Sequence, residues 1–311
     1  MAGAPIVYPY DPPSRPSRSP NGLPLVDLYS GLGHEPTPLP KHLTRVLYIP
    51  EHEAPGFPVY ESTREFQRVI YESPFGRGEL MAPPLMGSRM FNLRMSVLNR
   101  PSGNGRDNVQ YLVGPDTVLG DDGHMSVNVR KRDPHNICPD VNVKLPLQDH
   151  NFSLTISCHK EPADTTLVRA FFPLPDAQSY KTTIFFPYFA FSSRSGHEWY
   201  QWEVHPIQDG PMRYTLVSNK GRSEDTSRRQ EGDIRAIYYH VGRGGSVFQP
   251  HSEGILLLPE TSVDGPELEE EVVVASLIGV LTRVRSMRYV EKSKKTSSKH
   301  RDKPLFKRLF R

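Results

Sequence analysis

Val272-Val273-Val274-Ala275-Ser276-Leu277-Ile278-Gly279-Val280-Leu281 is the stretch on which the fold turns. Glu267, Glu269, Glu270 and Glu271 lead into it, and Arg283, Arg285 and Arg288 follow. Acids at the start of a helix and bases at its end both complement the macrodipole, so the pattern predicts a helix over 267–288. Its middle is apolar on nearly every side for almost three turns. A helix without a polar face must be surrounded by protein or by lipid. The apolar run of ten residues falls well short of the roughly 20 that cross a bilayer, so the expected surroundings are the inside of a domain. Its three consecutive valines leave a strand as the rival reading.

Upstream, short apolar runs occupy 66–71, 90–98, 109–113, 125–129, 152–158, 165–172, 181–186, 198–205, 213–217, 234–241 and 254–258. Most are rich in β-branched and aromatic residues and bounded by Gly, Pro, Asn or Asp, the signature of strands between turns. In Phe152-Ser153-Leu154-Thr155-Ile156-Ser157 the apolar residues take one face and the hydroxyls the other. In Tyr200-Gln201-Trp202-Glu203-Val204 both aromatics share a face with Val204. Period two marks a half-buried strand. Eleven such runs without alternating helices argue against a βαβ architecture and leave an antiparallel sheet, a sandwich or a closed barrel. Two long loops, 101–108 and 219–232, are expected to be mobile.

The flanks have a different texture. Of 311 residues, 36% are hydrophobic, below the globular average. Thirteen of the 31 prolines fall within the first 60 positions. Proline at this density removes backbone donors and pins φ, so residues 1–61 read as a disordered, proline-rich arm with a protein partner of its own. Val46-Leu47-Tyr48-Ile49 interrupts the arm as an apolar patch that docks on the domain, with a docking strand as the minor alternative. No stretch is long and apolar enough for a helical membrane span, and no signal-peptide pattern opens the chain. Two cysteines, Cys138 and Cys158, are too few for a disulfide scaffold. The expectation is a soluble, cytoplasmic protein.

A mainly β chain ending in one wholly apolar helix resembles the tubby C-terminal-like superfamily, which includes tubby proteins, LURP-one-related proteins and phospholipid scramblases. The residues that carry the resemblance are Tyr200-Gln201-Trp202-Glu203-Val204, Arg213-Tyr214-Thr215-Leu216-Val217 and Ile234-Arg235-Ala236-Ile237-Tyr238-Tyr239. Gly254-Ile255-Leu256-Leu257-Leu258 and the helix 271–285 complete it. The order is closest in pattern to uncharacterised fungal members and covers roughly 151–288. What the resemblance implies is an antiparallel β-barrel closed around the helix. Tubby domains bind phosphoinositides through basic side chains, but no position here matches that site residue by residue. A calcium segment and an acylated cysteine cluster of the scramblase kind are both missing from the sequence.

Catalytic motifs are equally scarce. The chain has no G-x-S-x-G, no phosphate-binding G-x-x-x-x-G-K-S/T and no H-E-x-x-H. Gly242-Arg243-Gly244-Gly245 reads as a turn, and Asp116, Asp121 and Asp122 as a solvated loop. His251-Ser252-Glu253 matches an H-x-D/E iron pair, yet the only later histidine, His300, lies in the basic tail. His135 with Cys138, and Cys158 with His159, lack a four-ligand zinc spacing. No catalytic residue, metal or cofactor is therefore assigned, and the expected function is non-enzymatic.

The strongest functional signal is the end of the chain. Residues 291–311 hold nine Lys or Arg and two acids, a net of +7. The whole chain carries +3, so residues 1–290 carry 3 − 7 = −4. The basic residues are Lys292, Lys294, Lys295, Lys299, Arg301, Lys303, Lys307, Arg308 and Arg311, and after Pro304 they interleave with Leu305, Phe306, Leu309 and Phe310. On a helix those four apolar residues share a face ringed by cations, the pattern of an interfacial amphipathic segment. Each basic residue attracts an anionic leaflet by roughly 1 kcal/mol near the surface. Anionic phospholipid is the expected partner, at the membrane periphery. The alternative is a nuclear or nucleic-acid role for the same cluster, or an enzyme with an unrecognised site. Nucleic acid ranks behind lipid because import needs no apolar face, and because adjacent Tyr238 and Tyr239 point to opposite faces of a strand. The expected organisation is a disordered arm over 1–61, a barrel domain over 62–288 and a basic amphipathic tail over 289–311.

Overall fold

A computed structural model describes residues 36–50, 56–72, 83–98, 108–115, 124–132, 141–146, 153–158, 161–171, 188–193, 198–205, 213–218, 234–241, 253–260 and 268–299. Twelve antiparallel strands close into a barrel. They are β1 (Arg45–Ile49), β2 (Phe57–Glu61), β3 (Val109–Pro115), β4 (His124–Lys131), β5 (Val141–Pro146) and β6 (Leu154–Cys158). They continue as β7 (Glu161–Phe171), β8 (Tyr188–Ser192), β9 (Trp199–His205), β10 (Arg213–Ser218), β11 (Ile234–His240) and β12 (Gly254–Leu258). Each strand pairs with its neighbours in chain order, and β1 closes the ring on β12 from Arg45↔Leu258 to Ile49↔Gly254. Closure leaves no edge strand open to another chain.

Alternation along the strands builds the interior. Leu47 and Ile49, Val141, Val143 and Leu145, Tyr200, Trp202 and Val204, and Leu256 and Leu258 all face one inner core. A barrel of eight strands is just filled by its own side chains, and the interior widens with strand number. Twelve strands enclose more space than their side chains fill, and helix α3 (Glu270–Lys299) occupies it. Val273, Val274, Ala275, Leu277, Ile278, Val280, Leu281 and Val284 are buried in that same core. This is why the helix tolerates an apolar surface all round: every face meets a strand.

A second core lies outside the barrel. Helix α1 (Thr63–Tyr71) and helix α2 (Arg89–Met95) cover the outer face of β1, β11 and β12. Phe66 and Ile70 of α1, with Phe91 and Met95 of α2, pack on Val46, Tyr48, Ile237, Tyr239, Ile255 and Leu257. Strands covered on both sides lose their polar face, so the sequence of β12 reads as an unbroken apolar run.

Four expectations from the sequence are corrected. The barrel begins before residue 62: the apolar patch over 46–49 belongs to its closing strand β1, and β2 also lies inside the stretch read as arm. Runs 66–71 and 90–98, expected as strands, fall on α1 and α2, because burial at i and i+4 fits a helix laid on the sheet. Strands β5 and β8 were not anticipated, while the expected strand over 181–186 lies outside the described residues. Helix α3 runs to Lys299, beyond the expected end at 288, so residues read as the start of a separate tail continue the helix. Residues 1–35, 101–107, 219–232 and 300–311 lie outside the described part.

Candidate functional site

Helix α3 carries the first basic residues of the expected lipid site, and three sets of contacts hold it in the barrel. At the entry, Arg45 on β1 bridges Glu61, at 2.8 Å from Nε, and Glu270, through Nη1. The Tyr111 hydroxyl donates to the other Glu270 oxygen at 2.7 Å, and Lys131 Nζ to Glu271 at 2.8 Å. Burial opposes the Arg45 charge, but Glu270 and Glu61 outweigh it and hold its pKa above the ordinary value. Burial first, and then the Glu270 charge, push the Tyr111 hydroxyl well above its usual range, so it stays a donor. The two glutamates also sit in the first turn of α3, where the dipole favours them.

At the middle, Trp202 Nε1 on β9 donates to Ser276 Oγ at 2.9 Å, and that hydroxyl donates to the Val273 carbonyl at 2.9 Å. Gly279 lies where a Cβ would stand 2.9 Å from Leu154 Cδ2 and 3.1 Å from Val143 Cγ1. Its hydrogen lets the helix approach β5 and β6 closely. Past the middle, Arg283 is almost wholly buried and donates to the Ser153 carbonyl from Nε at 3.1 Å and Nη2 at 2.6 Å. A buried guanidinium needs such partners.

Val284, just beyond, is buried, and the helix continues to Lys299. The extension spans 299 − 284 = 15 residues, roughly 22 Å of helix at ordinary rise. It carries positions 292, 294, 295 and 299 of the expected lipid site. Arg301, Lys303, Leu305, Phe306, Lys307, Arg308, Leu309, Phe310 and Arg311 lie outside the described residues. Acids therefore sit in the first turn of α3, and the basic residues come later along its sequence.

Other residues singled out by sequence resolve in different ways. Glu253 accepts a hydrogen bond from the Tyr48 hydroxyl, while His251, Cys138 and the Asp116, Asp121 and Asp122 loop lie outside the described residues. Among the described residues no group of three potential metal ligands converges. Cys158 is a buried thiol at the end of β6. Tyr238 faces the barrel interior, and Tyr239 lies under α2, edge-on to Phe91 at 5.1 Å and bonded to Asn92. Both rings are buried, so neither offers a stacking platform. A cavity of about 10 Å³ between β8 and the start of α3, lined by Phe191, Ser193, Leu268 and Val272, holds no more than about one water.

Sequence reading missed a buried polar cluster beside the helix. Tyr238 and His240 project inward from β11, their ring centroids 4.9 Å apart, with Tyr214 of β10 at 5.7 and 5.9 Å from them. Gly254 is obligatory opposite them: a Cβ there would stand 2.4 Å from the Tyr238 ring and hydroxyl. Both His240 nitrogens and the Tyr238 hydroxyl lack hydrogen-bond partners among the described residues. Burial lowers the His240 pKa from 6.5 to about 4. The folded state thus excludes a proton that the unfolded chain takes up near pH 6.5. Stability is full above that value and falls as pH drops towards 4, where the loss reaches about 3 kcal/mol. His240→Gln should shrink the difference between unfolding free energies at pH 7 and pH 4 by about that amount. Equal acid loss in both proteins, measured by urea titration, contradicts this account.

Comparison with family models, curated proteins and solved structures found no match to the chain.

Proposed function

We propose that this protein is a non-enzymatic peripheral adaptor that meets anionic membrane lipid through its basic C-terminal segment. The observation that carries the reading is the net charge of +7 over residues 291–311, interleaved after Pro304 with two Leu-Phe pairs. The charge draws the segment to an anionic leaflet, and Leu305, Phe306, Leu309 and Phe310 enter the headgroup boundary. The binding residues are Lys292, Lys294, Lys295, Lys299, Arg301, Lys303, Lys307, Arg308 and Arg311 together with those four apolar ones. Anchorage in the barrel supports the reading, since α3 carries the first of these cations on the helix held by Trp202 and Arg283.

The place of action on this reading is the cytoplasmic face of a membrane, with the proline-rich N-terminal residues recruiting a protein partner. Membership of the tubby C-terminal-like superfamily is part of the same proposal. A closed antiparallel barrel around an apolar C-terminal helix supports it. The absence of a recognisable catalytic motif and the helix that fills the barrel interior favour an adaptor over an enzyme.

A nuclear reading rests on the basic cluster Lys292, Lys294 and Lys295. Replacing Phe306 and Phe310 together by serine separates the two. Binding of the full chain to phosphatidylserine-containing vesicles should fall roughly tenfold or more, because two rings lose their burial. Binding to a DNA duplex should stay within about twofold, since its electrostatic part comes from Lys and Arg. Equal losses on both, or unchanged vesicle binding, contradict the lipid reading.

A further inference from the structure

We infer that the outer face of the α1–α2 pair is a second contact for an anionic lipid surface, built from three arginines around an apolar stripe. Helix α2 buries Phe91 and Met95 against the barrel, Met90 and Leu93 lie on its other side, and Val97 follows in the turn after its C-cap. These three are 55%, 62% and 62% exposed, and Leu85, just before the helix, is 45% exposed. No element among the described residues covers them. Single exposed apolar residues are ordinary, whereas a contiguous stripe marks a contact surface.

Charge on the same surface selects the occupant. Helix α1 packs beside α2 over the same sheet patch, with Phe66 and Ile70 inward, so its outer face carries Arg64 and Arg68. Arg89 opens α2 on its exposed side. These three guanidinium groups are exposed and make no ion pair among the described residues. Against them stands one exposed acid of the pair, Glu72. Apolar side chains ringed by unpaired cations suit a surface that offers negative headgroups above hydrocarbon. A groove-binding helical protein would need matching acids and would leave the arginines unused wherever it lacked them.

The surface is also rigid. Arg94 is buried and its Nη1 donates to the carbonyls of Val69, Ile70 and Glu72 at 2.8, 3.1 and 2.9 Å, which locks α2 to the end of α1. Ser88 caps α2 by accepting from the Phe91 amide at 3.1 Å. The tail and this surface share a lipid partner class, but no residue belongs to both. Joint engagement raises overall binding because the second contact becomes intramolecular.

Co-sedimentation with phosphatidylserine/phosphatidylcholine and pure phosphatidylcholine vesicles tests the inference on the full chain. Three variants are compared with the unaltered protein: M90S/L93S/V97S, R64Q/R68Q/R89Q and F306S/F310S. Partition of the arginine variant into anionic vesicles should fall by about a hundredfold, from about fivefold per residue near the surface. The serine variant of α2 should lose about tenfold. Both should keep the melting temperature of the unaltered protein, since the side chains are exposed. If both patch variants bind like the unaltered chain while F306S/F310S is weakened, this inference falls and the tail reading stands. Weakened patch variants beside an unaffected F306S/F310S uphold the inference and overturn the tail. No anionic binding by any of them overturns both. Unchanged vesicle binding with a shift of oligomeric state in M90S/L93S/V97S assigns the surface to a second copy of the chain, which also overturns it.

Discussion

Trp202→Ala is expected to destabilise the protein by about 3–5 kcal/mol, the range for emptying a fully buried aromatic site. Trp202 is wholly buried, faces inward from β9 and hydrogen-bonds the helix at Ser276. Its ring fills space between the barrel wall and α3, and its indole nitrogen occupies the Ser276 hydroxyl. Truncation opens a cavity that rigid strands on both sides cannot collapse into. The Ser276 hydroxyl still donates to the Val273 carbonyl, so the cost comes mainly from lost packing. Trp199, on the same strand but 42% exposed, is the internal control, and Trp199→Ala should cost less than about 1 kcal/mol. Urea unfolding followed by circular dichroism gives both values. Comparable losses at the two positions would mean that β9 is not arranged around the helix as described.

Period two and the apolar helix together carry the fold in sequence. Tyr200, Trp202 and Val204 alternate with polar neighbours, and that alternation is the inner wall of β9. The segment 272–281 is apolar all round because twelve strands surround it. Where the reading failed, a second layer had erased or disguised the period. Helices α1 and α2 cover the outer face of β1 at Val46 and Tyr48 while Leu47 and Ile49 face the barrel core, so this strand shows no polar side and reads as an apolar patch. The apolar residues of α1 itself, Phe66, Val69 and Ile70, sit close enough in sequence to pass for a strand. Ser62 followed by Glu65 is a helix-start signal that was available, although the Ser62 side chain makes no capping bond in the fold.

Proline density misplaced the first boundary. It describes the residues ahead of β1 but says nothing about Val46 to Ile49, whose role is set by a partner strand more than 200 positions away. The length of α3 was hidden for a related reason. The helical backbone persists to Lys299, well past the end of the apolar run at Leu281, so an apolar pattern does not mark where the helix stops. The Tyr238–His240 cluster was illegible because adjacency of aromatic residues does not reveal that both rings are enclosed. The basic and apolar run at the end of the chain was plain in sequence, and its partner is what the proposal adds.

The largest functional effect is expected from ending the chain after Val290. Ending there leaves the shortened protein with the contacts described above for α3, from Arg45 and Glu270 to Arg283 and the Ser153 carbonyl. Its melting temperature should therefore match that of the full chain. It loses all nine cations of the terminal segment and both Leu-Phe pairs. Co-sedimentation with phosphatidylserine-containing and neutral vesicles at near-physiological salt compares the two proteins directly. The account predicts that the full chain binds the anionic vesicles and that the shortened one binds them at least about a hundredfold more weakly. Binding by both proteins with equal strength, or by neither, contradicts it.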